Sequence, residues 1–199
     1  MKLQKQKTLV LIKPDGVQRS LIGEIISRFE KVGLKIIGLK IFVPTKEQIE
    51  QQYGPSKQEV EAMGKRSIEA QVKLGKKIEL LPYEYGMKIF NWIEKYISSG
   101  PVVGIVLQGN YAVELVKKLV GITEPLNSDV GTIRGDYTLD SYELANNDGR
   151  AVRNAIHRSA SLEEAEKEIA IWFKPEEILN YKLISERILY DVNLDGILE

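Results

Sequence analysis

At 199 residues, 43% of them hydrophobic and 28% charged, the chain is long enough to bury a real core and has the composition of a globular domain. Its 28 Lys+Arg balance 28 Asp+Glu, which removes any global electrostatic reason to expect a polyanionic partner such as nucleic acid. Cysteine is absent and histidine occurs once, so disulfides, thiolate chemistry and multi-histidine metal sites are excluded.

Residues 8–12 (TLVLI) form a continuous run of β-formers, read as a strand buried on both faces. Lys13 and Pro14 stop the run, too early for a signal-peptide core. No stretch approaches the roughly 20 apolar residues of a membrane span, so the expectation is a cytoplasmic protein with no membrane partner. Lys13-Pro14-Asp15-Gly16 reads as a turn that presents a lysine over the strand end. Ser20 is expected to open a helix with Leu21, Ile22, Ile25, Ile26 and Phe29 on one face, ended by Gly33. A second strand spans 34–43, and Thr45 with Gln48 has capping-box spacing for a short helix to Tyr53.

Residues 54–87 are rich in Lys and Glu and broken by Gly54-Pro55, Gly64, Gly75, Pro82 and Gly86. They read as a surface insertion with two weakly amphipathic helical pieces, 58–63 and 67–74. Helical periodicity returns at 89–97, a third strand follows at 102–107, and Asn110 is expected to cap a helix ended by Gly121. Residues 122–151 show little periodicity and read as a long, functional loop. A fourth strand at 154–157 precedes a helix capped by Ser161 with Glu164 three residues on, and a further helical piece is expected after 176. The order is that of an α+β, ferredoxin-like βαββαβ fold, a four-stranded antiparallel sheet with helices on its faces, plus a helical insertion.

The one histidine, His157, lies at a strand end just before a helix. A lone histidine is more often a satisfied structural residue than a nucleophile. Here, though, Lys13, Arg134, Arg153 and Asn154 also sit at element ends, and if they converge on His157 they make a phosphate site. Neither GxxxxGK[ST] nor GxGxxG is present, so side chains and magnesium would have to hold the phosphates, which suits transfer to a protein nucleophile.

TLVLIKPDGVQR, GEII with RFE, SGPVV, GTIRGDY, RNAIH followed by Ser159, and EEAEKEI with WF occur in this order between about 8 and 175. In this they resemble the nucleoside diphosphate kinase family, in the longer form with insertions seen among archaeal members. The resemblance implies one kinase domain over 1–199, with surface insertions at about 54–87 and 139–150 and a C-terminal extension from about 176. It also implies a ping-pong reaction. A nucleoside triphosphate such as ATP phosphorylates His157, and the phosphohistidine passes the group to a nucleoside diphosphate, with Mg²⁺ held mainly by the nucleotide phosphates.

By the same resemblance Glu168 orients the ring, Ser159 is the hydroxyl beside that carboxylate, and Tyr53 packs on lysine and histidine. Lys13 contacts phosphates and sugar, Thr123 and Arg134 bind phosphate, and Asn154 binds the sugar hydroxyl. Two positions depart from the pattern. Lys117 stands where the family usually carries a phosphate-binding arginine, and Ile89 takes the place of the base-stacking phenylalanine. The resemblance implies a homo-oligomer, a hexamer or alternatively a tetramer, paired through the second strand. The rival reading is a catalytically silent nucleotide-binding or regulatory module; the intact set of His157, Lys13, Arg134, Asn154 and Glu168 favours the enzyme. An RNA-binding module would need exposed aromatics on the sheet, which TLVLI and VVGIVL lack.

Overall fold

The computed structural model describes residues 5–54, 56–73 and 75–190; Pro55, Leu74 and the end of the C-terminal extension lie outside the described residues. The sheet has the strand order β2-β3-β1-β4, from β1 (Gln6–Ile12), β2 (Lys35–Phe42), β3 (Val102–Gly109) and β4 (Ile156–Arg158). Every pairing is antiparallel, the ferredoxin-like order.

The apolar run 8–12 follows from that order. β1 has a neighbour on each side and a helical layer on each face. Val10 and Ile12 pack with Ile25 and Phe29 of α2 (Ile22–Lys31) and with Val116 and Val120 of α6 (Ala112–Val120). Leu9 and Leu11 pack on the opposite face with Trp172 and Phe173 at the end of α9 (Leu162–Trp172). Ile25 and Phe29 are fully buried, and each such side chain contributes roughly 1.5–3 kcal/mol. β2 is an edge strand and alternates between exposed and half-buried from Leu39 on, past a bulge at Ile36/Gly38.

The capping box at Thr45 forms as read and opens α3 (Lys46–Tyr53). Ser161 accepts from the Glu164 amide, while the Glu164 carboxylate turns to Ala160 N–H. Several other starts differ from the sequence reading. KPDG is a short helix, α1 (Pro14–Gln18), because proline's fixed φ and missing N–H suit a first helical turn. Ser20 does not open α2: it adopts φ +58, and backbone bonds such as Leu21 N–H to Gly16 O make the turn instead. Asn110 is likewise not a cap, since Tyr111 takes the cap position at φ +53.

The two expected pieces of the insertion are one helix, α4 (Lys57–Lys73), packed on α5 (Pro82–Ile97). Gly64 and Gly86, read from sequence as breaks, are where the two helices touch backbone to backbone. A Cβ on Gly64 would lie 1.7 Å from the Pro82 oxygen, and one on Gly86 2.1 Å from the Val60 oxygen.

The loop 122–151 holds a 3₁₀ turn (Pro125–Asn127), α7 (Ile133–Tyr137) and α8 (Tyr142–Asn147). Helices this short escape a periodicity test. Buried Asp140 ties this loop together, accepting from Arg150 at 2.6 and 3.0 Å and from Arg153 N–H at 2.6 Å. The two segments read as insertions meet where Tyr85 Oη donates to Asn146 Oδ1 at 3.2 Å and Lys76 bonds Asn147. After 176 the chain forms a 3₁₀ turn (Pro175–Glu177) and, past a stretch without helix, α10 (Glu186–Leu189), in place of one helical piece. No helix of the described residues is long and apolar enough to cross a membrane.

Candidate active site

The site is built on a strained backbone. Ala155, just before β4, adopts φ +58, a conformation that costs an L-residue of order 1–3 kcal/mol and persists only when its surroundings impose it. Here both its backbone groups are held. Lys13 N–H donates to Ala155 O at 2.8 Å, and Ala155 N–H donates to Asp15 Oδ2 at 3.2 Å. Gly16 lets α1 come this close, because a Cβ there would lie 3.0 Å from Ala155 O and 2.8 Å from Ile12 Cγ2. Tyr96 of α5 donates to the other oxygen of Asp15 at 2.5 Å. KPDG is therefore a clasp that fixes the entry to β4.

His157 follows two residues later, opposite Leu11 of β1. Its Nε2 lies 2.9 Å from Glu168 Oε1. Ser159 Oγ donates to Glu168 Oε2 at 2.5 Å, and Gln52 Nε2 donates to Glu168 Oε1 at 2.5 Å. Burial alone would push the Glu168 carboxyl up, but the bonds from His157, Ser159 and Gln52 outweigh it and hold the group below its ordinary value. An ionised Glu168 accepts a hydrogen bond from Nε2–H, which leaves the lone pair of the neutral ring on Nδ1. Tyr53 presents its ring edge-on to the imidazole, 5.6 Å between centroids at 79°. Its hydroxyl is buried without a hydrogen-bond partner among the described residues, and burial followed by the Glu168 charge keeps it protonated. Gln52 was missed by sequence reasoning; its only signal was its place beside Tyr53 on α3.

Two buried cations lie beside this cluster, and both are held by neutral groups. Lys13 Nζ donates to Asn154 Oδ1 at 2.7 Å and lies 5.4 Å from the Tyr96 ring centroid. Burial, then the Arg134 charge, lower its pKa to about 7. Asn154 in turn donates to the Thr123 carbonyl at 2.9 Å.

Arg134 is 4% exposed and gives four N–H groups to the carbonyls of Gly121, Ile122, Asn154 and Ile156, knitting α6, the long loop and β4 together. Burial, then Arg158, lower its pKa to about 10. A guanidinium has five N–H groups, so one remains for a ligand.

Lys13, Tyr53, Asn154, His157, Ser159 and Glu168 thus come together, with Arg134 and the Thr123 backbone behind them. Lys117 is exposed on the last turn of α6, and the hydrogen-bonded cluster does not include it. Ile89 is half-buried on α5, outside the same cluster. A cavity of about 720 Å³ lies beyond Asp15 and Tyr96, lined also by Trp92, Arg150 and Arg153, and does not include His157. Residue chemistry, rather than depth of cavity, therefore locates the site.

A family model described as nucleoside diphosphate kinase matches residues 6–66 and 77–178. Among curated relatives, the nucleoside diphosphate kinase of Pyrobaculum aerophilum is 49% identical over 179 residues, covering 87% of this chain and 98% of that protein. That of Pyrococcus furiosus is 44% identical over 88% of each. A crystal structure of an NDP kinase from Pyrobaculum aerophilum superposes with a TM-score of 0.85 at 46% identity, covering 89% of this chain and all of that one. A Borrelia burgdorferi nucleoside-diphosphate kinase, described as a transition-state mimic with bound vanadate and ADP, superposes with a TM-score of 0.75 at 36% identity over 92% and 96% of the two chains.

Proposed function

This chain belongs to the nucleoside diphosphate kinase family and is an enzyme that transfers phosphoryl groups between nucleotides, and from that premise we propose that His157 carries the group in transit on Nδ1. Nδ1 attacks the γ-phosphorus of a nucleoside triphosphate. The bond from that phosphorus to the β–γ bridging oxygen breaks, and the diphosphate leaves with the bond's electrons. In the second half-reaction a terminal oxygen of another nucleoside diphosphate attacks the phosphohistidine, the P–N bond breaks and the lone pair returns to Nδ1. Glu168 holds the tautomer that frees Nδ1 and stabilises the positive ring while phosphorus is attached. Ser159 orients Glu168 and is also assigned to the leaving oxygen.

The observation that carries this reading is a pair of buried cations with neutral partners, set beside a histidine whose Nε2 is already engaged. Burying charge without a directly paired counter-charge is costly, Asp15 acting on Lys13 without a hydrogen bond to it, and a phosphate chain supplies that pairing. Lys13, the remaining N–H of Arg134, Thr123 and exposed Lys117 are assigned to the phosphates, and Asn154 to the sugar hydroxyl. The unpartnered Tyr53 hydroxyl is a further donor to phosphate. Ile89 is assigned to the base. The vanadate and ADP held by the Borrelia burgdorferi relative support nucleotides as the ligands of this chain also.

Among the described residues no cluster of three histidine, cysteine or carboxylate side chains could hold a metal ion. Mg²⁺ is assigned to the nucleotide phosphates, where it would neutralise charge developing in transfer. The reading extends to a single kinase domain working in the cytoplasm as a homo-oligomer, a hexamer or alternatively a tetramer. For pairing it has β2, an edge strand on which Leu39 and Ile41 are exposed at alternate positions, with exposed Val43 just past its end.

Incubation with Mg²⁺ and γ-labelled ATP tests the reaction. Label that is alkali-stable and acid-labile, is chased off by GDP or UDP and is absent from His157→Ala is the expected result. ATP binding with no label would leave a silent nucleotide-binding module.

A further inference from the structure

We propose that Gln52 is a positioning residue of this reaction, set by Trp172 and acting on His157 through Glu168. The proposal rests on His157 being the phosphoryl carrier. Trp172 Nε1 donates to Gln52 Oε1 at 2.6 Å, and Gln52 Nε2 donates to Glu168 Oε1 at 2.5 Å. The direction of this chain is forced by chemistry. An indole N–H can only donate and an ionised carboxylate can only accept, so the amide between them has one permitted orientation. Trp172 is 1% exposed and packed among Leu9, Leu11 and Phe173, so the orienting donor cannot swing away. Gln48, one turn earlier on α3, is tied to the same helix through Ile171 O at 3.3 Å. Two contacts thus register α3 against α9.

Gln52 Nε2 also lies 3.3 Å from His157 Nε2. Both nitrogens carry hydrogen when the ring donates its Nε2–H to ionised Glu168, so they do not bond each other, and the influence of Gln52 on the ring runs through the carboxylate. Oε1 of Glu168 is therefore shared between the imidazole and the amide, while Oε2 takes Ser159. The amide does two things. It fixes Oε1 against Nε2 of the ring, and it draws off part of the carboxylate's charge, so that Glu168 steadies a positive ring without trapping the proton. The other titratable or charged groups that act on Glu168 or are acted on by it are His157, Tyr53 and Arg158. None of them occupies the Gln52 position.

Gln52 is half-buried near the end of α3, where leucine suits a helix as well as glutamine does. Gln52→Glu keeps an acceptor for Trp172 and removes the donor, and Trp172→Phe removes the donor that sets the amide. The test measures the rate of enzyme phosphorylation by Mg²⁺–ATP from pH 5 to 9 for these variants and wild type. In Gln52→Leu the expected result is a fall of about tenfold in the maximal rate, with the nucleotide concentration at half-saturation unchanged. The acid limb of its profile moves up by about one pH unit. Gln52→Glu shifts the limb further in the same direction, because it adds a second carboxylate, and Trp172→Phe shifts it less. Unchanged kinetics in Gln52→Leu and Gln52→Glu overturn the proposal while leaving His157 as carrier. So does a slower rate with an unmoved acid limb, the mark of a merely structural contact. If wild type takes no label, the carrier reading fails, and this proposal with it.

Discussion

The β4–α9 elbow and the α4–α5 hairpin are built on opposite principles. At the elbow almost every polar atom is engaged: Glu168 takes three donors, Arg134 gives four, and the strained Ala155 is held at both its backbone groups. The hairpin is joined instead by close approach, through two glycines that set backbone against backbone. The first arrangement places charge to within a fraction of an ångström and holds buried cations at a cost. The second supplies packing and little electrostatics. Substitutions at the elbow should therefore change rate more than stability, and those in the hairpin the reverse.

The contrast is drawn most sharply by His157→Ala. Acid-labile labelling should fall to background, while the melting temperature moves by no more than a few degrees. A variant that keeps its label would remove the elbow's claim to the chemistry. Next in size is Glu168→Gln, for which single-turnover phosphorylation should slow by about a hundredfold, since the ring loses its anionic acceptor.

The hairpin counterpart is Gly64→Ala. Its methyl meets the Pro82 carbonyl, which forces the helices apart at a cost of about 1–3 kcal/mol, or roughly 5 °C in Tm, with labelling per folded molecule unchanged. Should activity fall as far as stability, the two regions are not separable in this way.

Lys13 brings the two measures together. Its pKa is lowered to about 7 in the fold, so from there up to its unfolded value near 10.5 the unfolded chain binds more protons than the native one. Stability should then rise with pH across that window by at most about 1.4 kcal/mol per unit, and the slope should vanish in Lys13→Met, as denaturant titrations at several pH values would show. Nucleotide affinity should move oppositely, weakening above about pH 7 as the ammonium is lost.

The smallest effect concerns Asp140. Burial raises its pKa, but Arg150 and the Arg153 and Ser141 amides outweigh that and hold it below the ordinary value. It therefore contributes stability that is present above about pH 4 and lost as the pH falls further. Asp140→Asn should remove that acid dependence and leave labelling at neutral pH intact.

The difference between the two regions also explains how much could be read beforehand. Thr45 and Ser161 declare helix starts because a cap is made within a few residues, and β1 declares itself because burial on both faces leaves no polar position. His157, Lys13 and Asn154 were legible through motifs whose members sit close together in sequence. Gln52 was not, since its partners lie 105 to 120 positions away and nothing local marks a glutamine as a ligand of Glu168. Gly64 and Gly86 were misread as breaks, because glycine signals either a bend or a close contact and only a facing helix says which. For Arg134 the sequence supplied a candidate for binding phosphate, but neither its burial nor the four carbonyls that hold it.

What the sequence determined by itself, then, was the order of elements, the central buried strand, the family it belongs to and the histidine proposed here as the carrier. These rest on hydrogen bonds and side-chain periods that close over short stretches of chain. Tertiary structure alone decided which ring nitrogen is engaged, which amide sits against Glu168 and how the insertion helices cross. Those depend on groups brought within 3 Å by the whole fold, and no local pattern encodes such a meeting.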